Sequence, residues 1–384
     1  MLGEIAASLI PEPESHGTTV FLDPMCGSGT SLLFAKSLGW AVVGLDTNPL
    51  ALLISTVKMK AGSAELQPAA RVLANIRARY GNARPESREG VLDNSQLLRY
   101  WFWPSSLRDL VRVRIAIDEC GLEAFEGELA LLALSRTVRH VSKADPEVVP
   151  PTISRRRRAA FPIRPPSVWG AFATNLSRMM DTASLKRLEE LPKVPCTVMQ
   201  GDARELPLRA RSVDAVLFSP PYGNAHDYIR STKLEQLILK LCTSGTLQKQ
   251  SLRTIGRRRS GLQRFEKPRP TGVRECDNFL ESLSRRSVEC SRHMRLYFLQ
   301  MACVLRDVHR VLKHDSTATV VVGDGTSQHL RVPLGFLLTK IAERQGFRLE
   351  ETPLANRIVS RRFMTKRNRT AGVIEWEWLL RFSA

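Results

Sequence analysis

Short apolar runs alternate with helical patterns at both ends of the chain, which predicts an α/β fold with a mostly parallel sheet. The first run, Thr18–Leu22, is β-branched and apolar, and a helical pattern over 32–38 separates it from a second buried run, Ala41–Asp46. The alternation resumes at Cys196–Gln200. It continues with runs at 213–218 and 318–322, a helix over 332–345, and closing strands over 347–351 and 372–381.

Residues 50–190 interrupt this alternation with helical periodicity alone. Apolar residues recur at helical spacing over 51–60, 66–80, 107–118 and 122–141. We therefore predict one domain from residues 1–60 and 195–384, an inserted and mainly helical subdomain over 61–194, and a basic loop over 246–275. Trp101, Phe102 and Trp103 are consecutive, and we interpret them as helix packing in preference to an exposed platform for stacking bases.

Composition narrows the class of protein. The 384 residues, 43% of them hydrophobic and 25% charged, suffice for a sizeable core. No apolar run reaches ~18 residues, so we expect no membrane span. The first residues include Glu4 and lack the basic and apolar regions of a secretory signal. Seven scattered cysteines without a Cys-x-x-Cys pair indicate a reducing cytoplasm and no zinc site.

A large excess of basic residues indicates a polyanionic partner. Lys and Arg total 57 against 38 Asp and Glu, which gives a net charge of +19. The basic residues are clustered, and clustering favours nucleic acid over a generally basic surface. The candidate contacts are Arg155 and Arg156, in a run of four arginines, and Arg257, Arg258 and Arg259, in the predicted basic loop.

A glycine-containing turn, Asp-Pro-Met-Cys-Gly-Ser-Gly-Thr from Asp23 to Thr30, follows the first predicted strand. Gly27 and Gly29 allow a sharp bend and close approach of a ligand, and Ser28 and Thr30 are expected to satisfy free amides at the helix start. The turn lacks the third glycine of a dinucleotide fingerprint and the Gly-Lys-Ser/Thr of a P-loop, so neither NAD nor ATP is favoured. A turn that only packs a helix on a sheet remains the alternative.

Acidic residues end the next two strands of the predicted sheet. Asp46 follows the second strand, where it is placed to accept hydrogen bonds from ribose hydroxyls. Asp202 follows the strand Cys196–Gln200, where it is placed to accept from an adenine amino group. Both positions lie at carboxyl strand ends, where open α/β sheets bind ligands.

The predicted strand over 213–218 ends at Ser219-Pro220-Pro221-Tyr222. Two consecutive prolines cannot donate to a sheet ladder, so the strand must stop there. The resulting stiff tetrapeptide carries a hydroxyl, carbonyl groups freed from the ladder, and an aromatic face. Such a set suits a planar ring that bears an amino group.

Three segments together resemble the S-adenosylmethionine-dependent amino-methyltransferases of DNA: Asp23–Thr30, Asp46–Ala51 and Ser219–Tyr222. The resemblance implies a Rossmann-like class I methyltransferase fold with a mostly parallel seven-stranded sheet. It implies S-adenosylmethionine as cofactor and DNA as partner in a restriction-modification system. The implied cofactor-binding residues are Asp23, Pro24, Cys26, Gly27, Ser28, Gly29, Thr30, Asp46, Asn48 and Asp202, and the implied catalytic residues are Ser219, Pro220, Pro221 and Tyr222.

The resemblance also implies the chemistry. Ser219 and the Pro220 carbonyl would accept from the exocyclic amine of a base flipped out of the duplex, and Tyr222 would stack on its ring. Serine at the first position favours N4 of cytosine over N6 of adenine. A cytosine-C5 enzyme that uses Cys196 is disfavoured, because Cys196 begins its strand and Ser219 stands where that nucleophile should be.

Two other functions remain open from the sequence. Tyr222-Gly223 also fits the Pro-Pro-Tyr-Gly of tRNA guanine-N2 methyltransferases, so an RNA enzyme is an alternative. A non-catalytic nucleic-acid-binding protein on the same fold is another, because few residues precede Asp23 and they lack the segment that usually closes over the cofactor's methionine part. The helical insert is a candidate for target recognition. With DNA as partner, we expect a cytoplasmic protein associated with the nucleoid.

Overall fold

The computed structural model describes residues 9–13, 18–61, 68–84, 95–145, 151–154, 165–181, 190–221, 223, 228–256, 269–350, 354–357 and 376–384. The chain forms two compact units. The sheet unit comprises residues 1–47, 194–227 and 252–384, and the helical unit comprises residues 48–193 and 228–251. Residues 48–60 and 228–251, which the sequence pattern assigns to the domain with the sheet, thus group with the helices.

The sheet unit contains one large sheet and a separate hairpin. Its strands are β1 (Val20–Asp23), β2 (Ala41–Asp46), β3 (Cys196–Gln200), β4 (Val213–Phe218), β5 (Leu312–Gly323), β6 (Gly325–Ser327), β7 (Leu330–Val332), β8 (Arg348–Leu349), β9 (Leu354–Arg357) and β10 (Trp376–Ser383). The order in the sheet is β3-β2-β1-β4-β5-β10-β8, with β9 also paired to β10. Strands β6 and β7 form the hairpin.

This strand order confirms the predicted Rossmann-like class I methyltransferase fold. Strands β1 to β5 pair in parallel, in the doubly wound order β3-β2-β1-β4-β5. Strand β10 is antiparallel to β5 on one side and to β8 and β9 on the other. The seven predicted strand positions are therefore filled by eight strands, because β8 and β9 share the edge position.

The helices are α1 (Thr30–Ser37), α2 (Pro49–Lys60), α3 (Ala69–Asn82), α4 (Ser95–Trp101), α5 (Pro104–Glu119), α6 (Ala124–His140), α7 (Val168–Met179), α8 (Tyr228–Ser231), α9 (Lys233–Ile238), α10 (Ser244–Arg253), α11 (Arg274–Ser284), α12 (Val288–Val311) and α13 (Leu334–Arg344). None of the helices in these described ranges is both long enough and apolar enough to cross a membrane.

Each unit has its own hydrophobic core. In the sheet unit, buried residues of β4 and β5 pack with α11, α12 and α13, where Tyr297 and Phe298 are among the largest fully buried side chains. In the helical unit, α5, α6 and α7 supply the core, and Trp101 and Phe102 are buried in it. The helix-packing interpretation of these two residues is therefore confirmed.

The predicted basic loop over 246–275 is partly wrong. Residues 244–253 form α10, and α11 begins at Arg274. The reason lies in two threonines at the start of α10: the Thr243 amide donates to Thr246 Oγ1 at 2.7 Å, and the Thr246 amide donates to Thr243 Oγ1 at 3.3 Å. This pair of reciprocal hydrogen bonds caps the start of a helix that the spacing of apolar residues in this polar segment does not predict.

The helical segment that precedes β5 is divided into two helices, α11 and α12. Helix α11 ends at Ser284, and Ser287 caps α12 by accepting a hydrogen bond from the Cys290 amide at 3.2 Å. The strand after α12 begins at Leu312, earlier than the sequence pattern predicts, and runs for 12 residues.

Candidate active site

The two sequence segments that carry the candidate chemistry lie at the same edge of the sheet. Asp23 ends β1 and Phe218 ends β4. The two strands are parallel neighbours, with Phe21 opposite Ala215 and Leu22 opposite Val216. Since adjacent strands lie about 4.8 Å apart, the turn after β1 and the tetrapeptide after β4 emerge side by side.

The Asp23 side chain supports the turn after β1 through hydrogen bonds to its backbone and to α1. Its Oδ1 accepts from the Met25 amide at 3.0 Å, and its Oδ2 accepts from Ser31 Oγ. The side chain is buried, and burial raises its pKa to about 7, with a further contribution from the negative charge of Asp46. The hydrogen bonds from Ser31 and Met25 only partly offset these effects. Asp23 is thus a structural carboxyl that supports the turn.

The turn itself is tied to the end of β2. The Cys26 amide donates to the Leu45 carbonyl at 2.8 Å, and the Gly27 amide donates to Asp46 Oδ2 at 2.9 Å. Gly27 and Gly29 have φ values of 52° and 71°, which are left-handed conformations that favour glycine. One carboxylate oxygen of Asp46 therefore orients the turn.

The start of α1 differs from the sequence expectation. Gly29 occupies the N-cap position, and no side chain among the described residues caps the first turn. Ser28 Oγ lies 3.5 Å from Thr30 Oγ1, so the predicted role of these two residues in satisfying amides at the helix start is wrong. The left-handed glycine takes the cap position because it carries the chain into the helix without strain. An uncapped helix start favours negative charge nearby.

Asp202 follows β3 and is held by a partner that the sequence analysis missed. Arg204 Nε donates to Asp202 Oδ1 at 2.8 Å, and Arg204 Nη2 donates to Asp202 Oδ2 at 2.5 Å. Burial acts to raise the pKa of Asp202, but the hydrogen bonds and charge of Arg204 outweigh it, so the pKa is lowered. Asp202 is therefore a fixed carboxylate that can accept further hydrogen bonds. The Asp-x-Arg spacing is the signal that could have identified this pair.

The tetrapeptide after β4 is described as far as Pro221. Ser219 and Pro221 are partly exposed, and Pro220 is buried. Gly223 is buried beside α12: a Cβ added there would lie 2.9 Å from Met294 Sδ and 3.0 Å from the Tyr297 ring. The sequence analysis gave Met294 and Tyr297 no role at this site. Tyr222 lies outside the described residues.

Some candidate residues fall elsewhere. Asn48 belongs to the helical unit, where its Oδ1 accepts from the Leu50 amide at 3.0 Å and caps α2, and its Nδ2 donates to Thr232 Oγ1 at 3.3 Å. The candidate nucleic-acid contacts Arg155, Arg156, Arg257, Arg258 and Arg259 lie outside the described residues.

Cys196 does not belong to this edge. It begins β3, opposite Val42, so it lies at the amino end of its strand. Burial raises the pKa of its thiol, which disfavours the thiolate that a nucleophile needs. In the described part of the chain, no group of three or more His, Cys, Asp or Glu side chains is arranged to hold a metal ion.

Two sequence relatives are type II methyltransferases. The chain is 26% identical over 151 residues to the type II methyltransferase M.AvaI of Nostoc sp., a match that covers 36% of this chain and 31% of that protein. It is 21% identical over 345 residues to the type II methyltransferase M.MvaI of Kocuria varians, which covers 84% of this chain and 74% of that protein. The chain thus matches less than a third of M.AvaI but most of M.MvaI.

Solved methyltransferase structures align with nearly the whole chain at low similarity. A SAM-dependent methyltransferase from Methanosarcina mazei aligns with a TM-score of 0.34 and 9% identity, over 99% of this chain and 96% of that one. The rRNA methyltransferase aviRa from Streptomyces viridochromogenes aligns with a TM-score of 0.28 and 12% identity, over 98% of this chain and 81% of that one. No protein-family model matches the sequence.

Proposed function

We propose that the chain is an S-adenosylmethionine-dependent methyltransferase that modifies an exocyclic amino group of a base in DNA, with N4 of cytosine favoured over N6 of adenine. The observation that carries the proposal is the juxtaposition of two turns on adjacent parallel strands, the glycine turn after β1 and the Ser-Pro-Pro tetrapeptide after β4. The similarity to the type II methyltransferases M.AvaI and M.MvaI supports the methyl-transfer reaction.

The residues around the glycine turn fit S-adenosylmethionine. The uncapped start of α1 suits the carboxylate of the methionine part, and Asp46 and Asp202 are carboxylates suited to ribose hydroxyls and an adenine amino group. When bound, the cofactor supplies a methyl group on a positively charged sulfur. The turn between Asp23 and α1 would hold it by backbone contacts, which its two left-handed glycines permit.

The tetrapeptide after β4 supplies the acceptors that the target amine needs. The lone pair of an exocyclic amine is conjugated into its ring, and acceptors on its two N–H groups favour the pyramidal nitrogen that can attack. We assign Ser219 Oγ and the Pro220 carbonyl to this role, with Tyr222 stacking on the everted ring. Most of the rate enhancement would come from positioning, and the amine proton can leave after transfer, so no stronger base is required.

A transfer assay with radiolabelled S-adenosylmethionine tests the proposal. We expect label in unmethylated plasmid DNA, and N4-methylcytosine after digestion to nucleosides. Ser219→Ala should abolish turnover while isothermal titration still detects cofactor binding. If the labelled nucleoside were N6-methyladenine, the target base would be adenine instead of cytosine, and the proposed methyl transfer to an exocyclic amine would stand. No labelled nucleoside from DNA, or loss of cofactor binding in Ser219→Ala, would reject the assignment.

An RNA substrate is the alternative, and it rests on Gly223 after the Pro-Pro-Tyr segment. The same assay on tRNA separates the two: N2-methylguanosine in tRNA with unlabelled DNA would favour the RNA enzyme. A non-catalytic nucleic-acid-binding protein predicts no cofactor binding at all. With DNA as substrate, we place the protein's action at the nucleoid.

A further inference from the structure

A small hairpin extends the candidate site along the sheet edge. Strands β6 and β7 pair antiparallel, with Gly325 opposite Val332 and Ser327 opposite Leu330. The hairpin directly follows β5, whose neighbour β4 carries the tetrapeptide, with Phe218 opposite Val320. In the order β1-β4-β5, it therefore stands on the far side of the tetrapeptide from the glycine turn.

The turn of this hairpin holds two residues in an unfavourable backbone conformation. Gln328 and His329 have φ values of 51° and 60°, and neither is glycine. Two-residue hairpin turns with both φ values positive prefer Asn-Gly, because larger side chains are disfavoured there. His329 is exposed at the tip. The turn thus presents an imidazole at a conformational cost that glycine would not incur.

Polar contacts hold the hairpin in place from both sides. Arg286 Nη1 donates to the Gln328 carbonyl at 2.9 Å, and Gln328 Nε2 donates to Cys290 Sγ at 3.4 Å. On the other strand, Arg331 Nη2 donates to Asp324 Oδ2 at 3.0 Å. These hydrogen bonds support the left-handed turn on both sides of its tip.

The hairpin and the catalytic segment share one support. The first turns of α12 carry Cys290, which contacts the hairpin, and Met294 and Tyr297, which lie against Gly223. Because both segments pack on the same helix, the hairpin keeps a fixed position relative to the segment that follows the tetrapeptide.

The exposed charges on this hairpin and its support suit phosphate. The Arg331 side chain is 74% exposed although it pairs with Asp324. Arg286 is exposed, and among the described residues it donates to a backbone carbonyl without a carboxylate partner. Guanidinium groups bind phosphate oxygens in paired hydrogen bonds.

We propose that the β6–β7 hairpin contacts the DNA beside the everted nucleotide, with His329 facing the groove and with Arg331 and Arg286 facing phosphates. The proposal rests on the proposed function, since it takes the Ser219 segment as the site of the target base. In this proposal, the hairpin contacts the DNA strand that flanks the target base, on the side away from the glycine turn.

The decisive variant is His329→Gly. Glycine suits the left-handed turn, so this change relieves the backbone while it removes the imidazole. We expect affinity for a fluorescein-labelled 30-base-pair duplex, measured by anisotropy, to fall about tenfold, with cofactor affinity unchanged. The matched control is Arg211→Gly, also at a positive φ of 54° but at the amino end of β4. It should leave affinity for the duplex unchanged although it removes a charge.

A second pair of variants tests the phosphate contact. Arg331→Gln should reduce the slope of log affinity against log salt by about one unit. Lys313→Gln removes a cation that is likewise paired with an aspartate, Asp214, at the opposite end of the strands, and should not change the slope.

The outcomes separate this inference from the proposed function. Equal duplex affinity in wild type and His329→Gly, or equal salt slopes for Arg331→Gln and Lys313→Gln, would overturn the hairpin assignment even if wild type methylates DNA. A wild type that binds the duplex without methyl transfer would reject the proposed function, while the affinity comparison still decides the hairpin. If His329→Gly lowered affinity for tRNA and left affinity for the duplex unchanged, that result would also overturn the assignment of DNA to the hairpin.

Discussion

Replacing Gly223 with alanine should slow methyl transfer while cofactor affinity stays unchanged. The added Cβ would lie 2.9 Å from Met294 Sδ and 3.0 Å from both Cγ and Cδ1 of Tyr297. The optimal separation of such atoms is at least about 3.5 Å, so the new methyl group would overlap its neighbours by about half an ångström.

The Tyr297 contact decides the size of the effect. The Met294 side chain is flexible and can turn away, but the Tyr297 ring is fully buried among core residues and cannot. The backbone at Gly223 must therefore move by about half an ångström, at a cost of about 1–3 kcal/mol. A misplacement of about 1 Å at a reacting centre can cost on the order of 100-fold, so half that shift predicts a fall in kcat on the order of tenfold.

The assay compares kcat on unmethylated DNA with cofactor affinity from titration. The control is Gly81→Ala in α3, where an added Cβ meets nothing within 4 Å, and we expect its kcat to equal that of wild type. In a double variant, Tyr297→Leu should make the alanine less harmful than it is alone, a coupling that a double-mutant cycle measures. Wild-type kcat in Gly223→Ala, or strictly additive effects in the cycle, would refute the packing argument.

Three further predictions concern other parts of the molecule. The pKa of Asp23 in the folded state is about 7, above its ordinary value of 3.8, so the folded state binds this proton more tightly than the unfolded state does, and thermal stability should fall as pH rises from about 4 to about 7. In thermal melts across that range, Asp23→Asn should lack this pH-dependent loss of stability. The same pH dependence in Asp23→Asn and wild type would contradict the buried neutral carboxyl. Arg204→Ala frees the Asp202 carboxylate, and we expect cofactor affinity to weaken by about 1–3 kcal/mol in titration; unchanged affinity would remove Asp202 from the cofactor site. Neutralising Arg257–Arg259 should weaken DNA binding and flatten its salt dependence, and an unchanged salt slope would exclude phosphate contacts there.

The sequence predicts the parts of the fold that depend on hydrophobic pattern. The apolar runs at β1, β2 and β4 are continuous because both faces of a parallel sheet are buried. These strands and the polar residues at their ends can therefore be predicted from the sequence. Pro104 likewise marks the start of α5, where its missing amide costs nothing. The two turns that make up the candidate site follow from these strand ends.

Local polar contacts determine the parts that the sequence does not reveal. Helix α10 begins at the Thr243–Thr246 pair, and the hairpin turns at Gln328–His329 without the Asn-Gly that usually marks such turns. The Arg204 contact with Asp202 depends on side-chain geometry rather than on period. Features of this kind leave no trace in the spacing of apolar residues.

The position of β10 has a consequence for synthesis on the ribosome. This strand lies between β5 and the β8–β9 edge, yet it is translated after all of them. At about 5–20 residues per second, the nascent chain spends a few seconds with one edge of β5, the edge that later pairs with β10, lacking its partner strand. During that interval β5 is open to pairing with another polypeptide, so chaperones that shield unpaired strands should raise the yield of the native protein.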